Sequence, residues 1–240
     1  MKDVLQIGST NLQGSMQLVL RDLKGAAVVD YEMDEVLIDI RSAEKQSILI
    51  TRAKEAMTLC KATGFQAVVI DNQDSYERSH GLITITQTQE LLNKISELAH
   101  LLDMSFGQLN SPQLLGMRSK IMTDFAIIYP NRRLALECDV LCPLFKQHYS
   151  NRLFVVHSNQ QNFLVQCEAH YDISHVLRES GASKALSNFG YNFETCPHTK
   201  YQEVRTLELW DDFSERIVTE GLGWSRITCL TQNCDQRQYS

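Results

Sequence analysis

The chain has 240 residues, 43% of them apolar and 22% charged, and a formal net charge of −6. That length supports a hydrophobic core in one large domain or two small ones, and the composition excludes wholesale disorder. The acidity excludes a surface coated with nonspecific nucleic-acid contacts, yet residues 84–137 are neutral and the whole excess lies in 1–83 and 138–240.

No apolar run reaches the length needed to span a bilayer, so no membrane partner is expected. "MKDVLQIGST" lacks the apolar core and cleavage site of a secretory signal, which predicts a cytoplasmic protein. Its seven cysteines are then expected to be reduced, and mostly buried as small apolar residues.

The runs "VLQI", "MQLVLRDL", "AAVVDY" and "VLIDI" predict three or four strands before residue 41. Asp30 and Glu32 alternate onto one strand face behind Gly14-Ser15. This is similar to the metal-binding carboxylates of nucleotidyltransferases, against a solvated strand face as the plainer reading. "SAEKQSILITRAKEAMTLCKATG" predicts an amphipathic helix over 43–63, with Gly64 in the left-handed position after it. The succession of helix, glycine, aromatic residue and strand recurs at Gly64-Phe65, Gly190-Tyr191 and Gly223-Trp224. It favours an α/β or α+β fold, with mixed sheets flanked by helices. The chain divides on this reading into an N-terminal α/β part (1–83), a central segment (84–137) and a C-terminal α/β part (138–240).

In the central segment, "SELAHLLDMSFGQL" offers Leu98, Ala99 and Leu102 as an inner helix face, Met104 as a turn residue and Ser105 as a cap. It resembles the "ELAxxLxxS" phrase of bacterial helix-turn-helix regulators. The resemblance implies a second helix whose Gln108, Asn110 and Gln113, followed by Arg118 and Lys120, would face base edges. "DFAIIYPNRRLALECDV" would add a wing with Arg132 and Arg133 against phosphates, making the segment winged-helix-like. The competing reading is one helix from Gln87 to Leu102, a loop, a new helix opened by Ser111-Pro112, and a buried strand "FAIIYP".

Further on, "LFVVHSNQQNFLVQCEA" predicts a hairpin over 153–169, and both "YDISHVLRESGASKALSNFG" and "DDFSERIVTEGLG" predict helices. Cys138/Cys142, Cys167/His170, Cys196/His198 and Cys229/Cys234 do not have the spacing of a structural zinc site, so no metal is expected. Cys196-Pro197-His198 suggests a nucleophilic thiol that would need a base from elsewhere, with His157 and His175 as candidates. Arg178, Gly181 and Ser183 in "RESGASKAL" resemble the pyrophosphate loop of acyl-CoA N-acetyltransferases, where a helix N-terminus binds the phosphates. Ser183 in place of Gly or Ala departs from that pattern.

The leading expectation is therefore a cytoplasmic regulator that binds DNA through the central segment. Its flanking parts would sense a small-molecule ligand or join copies into a homo-oligomer. The alternative is a small-molecule enzyme, an acyltransferase or thiol enzyme using the C-terminal half, or a protein-interaction module. No cofactor is assigned.

Overall fold

The computed structural model describes residues 16–30, 35–129, 137–178, 193–196, 213–216 and 227–232. By its contacts the chain divides into two compact units. One comprises Met1–Gly107, Gly116–Thr123 and Asp212–Ser240, the other Gln108–Leu115 and Asp124–Asp211.

The first unit begins with two short antiparallel strands, β1 (Val29–Asp30) and β2 (Glu35–Val36), with bridges Val19–Ile38 and Arg21–Ala27 beside them. Helix α1 (Ala43–Ala62) starts where the Ser42 side chain accepts the Lys45 N–H, satisfying one orphan donor of the first turn. It stops by a Schellman motif, in which the Gly64 N–H reaches the Lys61 carbonyl and the Phe65 N–H the Cys60 carbonyl. Gly64 has φ +91°, the left-handed conformation that the sequence predicts there.

Strand β3 (Ala67–Ile70) follows, then a single turn α2 (Ser75–Arg78) and helix α3 (Ile85–Leu101). Thr84 and Gln87 form a reciprocal capping box at the start of α3, whose inner face is Leu91, Leu92, Ile95 and Ala99. Strand β4 (Ser105–Leu109) runs parallel to β3, with Phe106 opposite Val68. On the other side of β3 lies the antiparallel β10 (Ile227–Gln232), itself paired with β9 (Phe213–Arg216).

The second unit holds three parallel strands, β5 (Phe125–Ile128), β6 (Leu153–His157) and β7 (Ser174–Arg178), with antiparallel β8 (Phe193–Thr195) beyond β7. Helix α5 (Glu137–Tyr149) connects β5 to β6, and α6 (Gln160–Ala169) connects β6 to β7. These are two consecutive βαβ units. Their core is Ala126, Ile128, Phe145, Tyr149, Leu153, Val155 and Ile173.

The fold is thus mixed α/β, with parallel strands flanked by helices, and it contains no winged-helix segment among the described residues. Four predicted elements are corrected. Residues 105–109 form a strand, because α3 ends in the same Schellman pattern as α1. Asp103 is left-handed at φ +54°, its N–H reaches the His100 carbonyl, and the Met104 N–H reaches Ala99. Residues 160–169 form a helix rather than the second arm of a hairpin, because Asn159 caps it by accepting the Asn162 N–H. Residues 174–178 and 213–216 are strands where helices were expected. Gly190 and Gly223 lie outside the described residues.

The expectation of reduced thiols also falls. Disulfides join Cys138 to Cys142 and Cys167 to Cys196, with Cα separations of 4.7 and 5.5 Å, and Cys60 is disulfide-bonded as well. Those separations lie in the bridging range. The expectation had rested on a missing secretory signal, which says nothing of distance between sulfurs. Cys167–Cys196 closes a span of 29 residues, so replacing both by Ser should cost roughly 3 kcal/mol in denaturant unfolding. Alkylation of protein unfolded without reductant should leave Cys138, Cys142, Cys167 and Cys196 unmodified. Stoichiometric labelling at those four positions would refute the pairing.

Candidate functional site

In parallel α/β folds, functional side chains gather at the C-terminal ends of strands, because that is where the chain leaves the sheet for a loop. In the first unit β3 ends in Asp71-Asn72-Gln73-Asp74. Asn72 is left-handed at φ +56°, a conformation that Asn adopts at modest cost. Gln73 is buried, its amide donating to the Gly107 carbonyl at 3.0 Å.

Arg78 decides how the charges here are shared. Its guanidinium makes a short contact with Asp30 and a 2.8 Å contact with Asp74, and lies 3.5 Å from the Asn72 side-chain oxygen. Burial opposes the guanidinium's charge, but Asp74 and then Asp30 outweigh it and raise its pKa above the ordinary value. Asp71 makes no ion pair among the described residues. Its carboxylate accepts the Asn72 N–H at 2.9 Å.

Asp71 and Asp30 both line a cavity of about 90 Å³ within this unit. Its walls come from the β1–β2 region, α1, the end of β3 and α3, and are mainly aliphatic, with Leu49, Leu91, Leu92 and Ile95 among them. The other polar lining residues include Arg52 and Thr88. Thr88 is 4% exposed, and its hydroxyl has no hydrogen-bond partner among the described residues. Arg52 makes no ion pair among the described residues.

A second charged cluster lies at Asp39, which is buried and held by Arg41 in a bidentate pair of 2.8 and 3.0 Å and by Lys45. Burial raises its pKa, but Arg41 and Lys45 prevail and hold the carboxyl well below the usual range. It lies next to the Ser42 cap of α1 and serves the fold.

The residues predicted to contact DNA do not form a reading surface. Gln108 is 1% exposed and spends its amide on the Asn110 and Ser111 carbonyls, while its oxygen accepts the Tyr149 hydroxyl. Asn110 accepts the Tyr129 N–H at 2.8 Å. Gln113 is exposed on a 3₁₀ turn (Pro112–Met117). Arg118 is half-buried and Lys120 exposed, both on the single turn α4 (Arg118–Ile121). Arg132 and Arg133 lie outside the described residues.

Comparison with known proteins settles the family. The model of glycoside-hydrolase family GH114 matches residues 9–170. The chain belongs to glycoside-hydrolase family GH114. A crystal structure of Aspergillus fumigatus Ega3 in complex with galactosamine resembles it with a TM-score of 0.51 and 18% identity, over 75% of this chain and 69% of that one. At that identity the likeness concerns the fold. No curated protein sequence matches the chain.

GH114 membership overturns the regulator reading and DNA as the partner, in agreement with the burial of Gln108. The C-terminal alternatives lose their parts too. The Cys196 sulfur is bonded to Cys167, Arg178 ends a strand, and Gly181 and Ser183 lie outside the described residues. His157 and His175 face each other instead of a thiol, with Nε2 and Nδ1 2.9 Å apart. The His175 Nε2 lies 3.2 Å from the His170 carbonyl, so it must donate there, leaving its Nδ1 to accept from His157.

Asp71, Arg52 and Thr88 were missed by sequence reasoning. The available signal was "AVVID": a short apolar run, as a buried parallel strand produces, ending in a carboxylate.

The histidine pair yields a stability prediction for the family member in hand. Burial pushes His157 down to about 4 and His175 to about 3, the latter also through its neighbour His157. Both rings stay neutral in the fold, while the unfolded chain takes up their protons below about pH 6.5. Stability should therefore fall as pH drops from 6.5, by roughly 2 kcal/mol per ring at pH 5. His157→Gln with His175→Gln should flatten that slope in denaturant titrations. A slope unchanged by the double substitution would remove the assignment.

Proposed function

We propose that this GH114 member hydrolyses glycosidic bonds in an amino-sugar polymer, with Asp71 as the acid/base carboxylate. The observation that carries the reading is the allocation of charge around Arg78. Of the two carboxylates in the described lining of the cavity, Asp30 is neutralised and Asp71 makes no ion pair among the described residues. A glycosidase needs a carboxyl group that gives a proton to the leaving oxygen and takes one from water. Asp71, half-buried at the end of a parallel strand, is positioned as such groups are in β/α folds. The amino-sugar class follows from the galactosamine bound by the Aspergillus protein. The disulfides favour an oxidising compartment over the cytoplasm as the place of action.

Binding without turnover is a second reading, supported by one fact. Hydrolysis ordinarily uses two carboxylates, and the other one in the described lining is held by Arg78.

Release of reducing ends from galactosamine-containing polymers separates the two. Wild-type protein should release them, and Asp71→Asn should lose about 10²-fold or more in rate with its melting temperature unchanged. A wild type that binds such polymers yet releases nothing would replace hydrolysis by the binding reading. Full activity in Asp71→Asn would remove Asp71 from the role.

A further inference from the structure

We propose that Arg78 is a positioning residue for hydrolysis: it holds the turn after β3 and thereby sets the orientation of the Asp71 carboxylate, without touching substrate. The inference rests on the reading of Asp71 as the acid/base group, and it names the residue that aims that group.

The aim of Asp71 comes from its neighbour's backbone. Its Oδ1 accepts the Asn72 N–H at 2.9 Å. The Asn72 carbonyl accepts the Ser75 N–H at 3.1 Å, so residues 72–75 close a turn. Asn72 is left-handed in that turn, at φ +56°. Any rotation of its backbone would swing the N–H away and release the carboxylate.

Arg78 grips this turn by its side chains. Its Nη1 and Nη2 meet the two oxygens of Asp74 at 2.8 and 3.0 Å, and Nη2 also lies 3.5 Å from the Asn72 side-chain oxygen. Its Nε, pointing another way, meets Asp30. Gln73, between the two gripped residues, is fastened to the Gly107 carbonyl at 3.0 Å. Asn72, Gln73 and Asp74 are therefore each held, and Asp30, 3% exposed, anchors the guanidinium. Arg78 itself is absent from the described lining of the cavity.

Charge alone would not achieve this. A lysine ammonium would neutralise Asp30 and Asp74, but it is a point charge without a planar fork to span one carboxylate and reach two further side chains. Arg78→Lys therefore separates charge from aim. It also keeps a cation beside buried Asp30, so that carboxylate is not left unpaired.

The test is steady-state kinetics of the full chain on a galactosamine-containing polymer, comparing wild type, Arg78→Lys, Asp71→Asn and the double variant. Arg78→Lys should lower kcat at least about tenfold and leave KM within about twofold. In the Asp71→Asn background the same substitution should cost less than about twofold, because no carboxylate remains to be aimed. A purely structural role would lower the rate by the same factor in both backgrounds. Asp74→Ala, which leaves the Arg78–Asp30 pair intact, should show the same dependence on Asp71, and it decides the matter if Arg78→Lys does not fold. A wild-type kcat in Arg78→Lys, or an equal loss in both backgrounds, would overturn the inference and leave the Asp71 reading standing. Full activity in Asp71→Asn, or no release of reducing ends by wild type, would overturn both.

Discussion

Everything placed at the end of β3 depends on how two helices stop. A helix leaves its last carbonyls unsatisfied, and a residue in the left-handed conformation lets its own N–H and the next one turn back to cover them. At α1 that residue is Gly64, and at α3 it is Asp103. In both cases the next side chain, Phe65 or Met104, is buried, which fixes the direction in which the chain enters the following strand. The two strands so launched, β3 and β4, pair in parallel from their first residues, Ala67 and Ser105. Extending either helix by one turn would shift a strand along its partner and move Asp71 or Asn110 away from the strand end.

The second constraint is electrostatic. Asp30, Asp71 and Asp74 fall close together in the first unit with Arg78 as the cation that binds two of them. Their mutual repulsion would be costly without it, and Arg78 can serve two carboxylates at once because its guanidinium has donors on several edges. Asp71 is thereby the carboxylate left available, although it does not differ in residue type from the other two. The role proposed for Asp71 rests on what its neighbours have already consumed.

That explains which parts were legible in the sequence. Helices α1 and α3 and strand β5 could be read because their signals are local: Ser42 and Gly64 at the ends of one helix, the uninterrupted amphipathic run from Gln87 to Leu102 in another, and four consecutive apolar residues in Phe125–Ile128. The strand at 105–109 was misread because Asp103 performs a glycine's task, which small polar residues do at modest cost. The α6 helix was missed because Leu164 and Val165 are both exposed, so its apolar residues do not keep the helical period. The site was illegible for a different reason. Asp30 and Arg78 are 48 positions apart, and only the fold reveals that one silences the other.

The misassigned Gln108 shows how the same chemistry serves another end. Its carboxamide was attractive as a base reader because it both donates and accepts hydrogen bonds. In the fold those capacities are directed to the Asn110 and Ser111 carbonyls and the Tyr149 hydroxyl. Asn110 and Ser111 are consecutive residues with positive φ, +46° and +54°, an arrangement that costs of order 1–3 kcal/mol per residue. Such a turn persists only where its surroundings hold it. Gln108 supplies two hydrogen bonds from one side, and the Asn110 side chain supplies a third to the Tyr129 N–H, beyond the end of β5. A buried polar side chain costs free energy unless its groups are satisfied. Here full satisfaction and the strained turn require each other, so a reader who counts Gln108's possible partners within its own fold needs no external ligand for it.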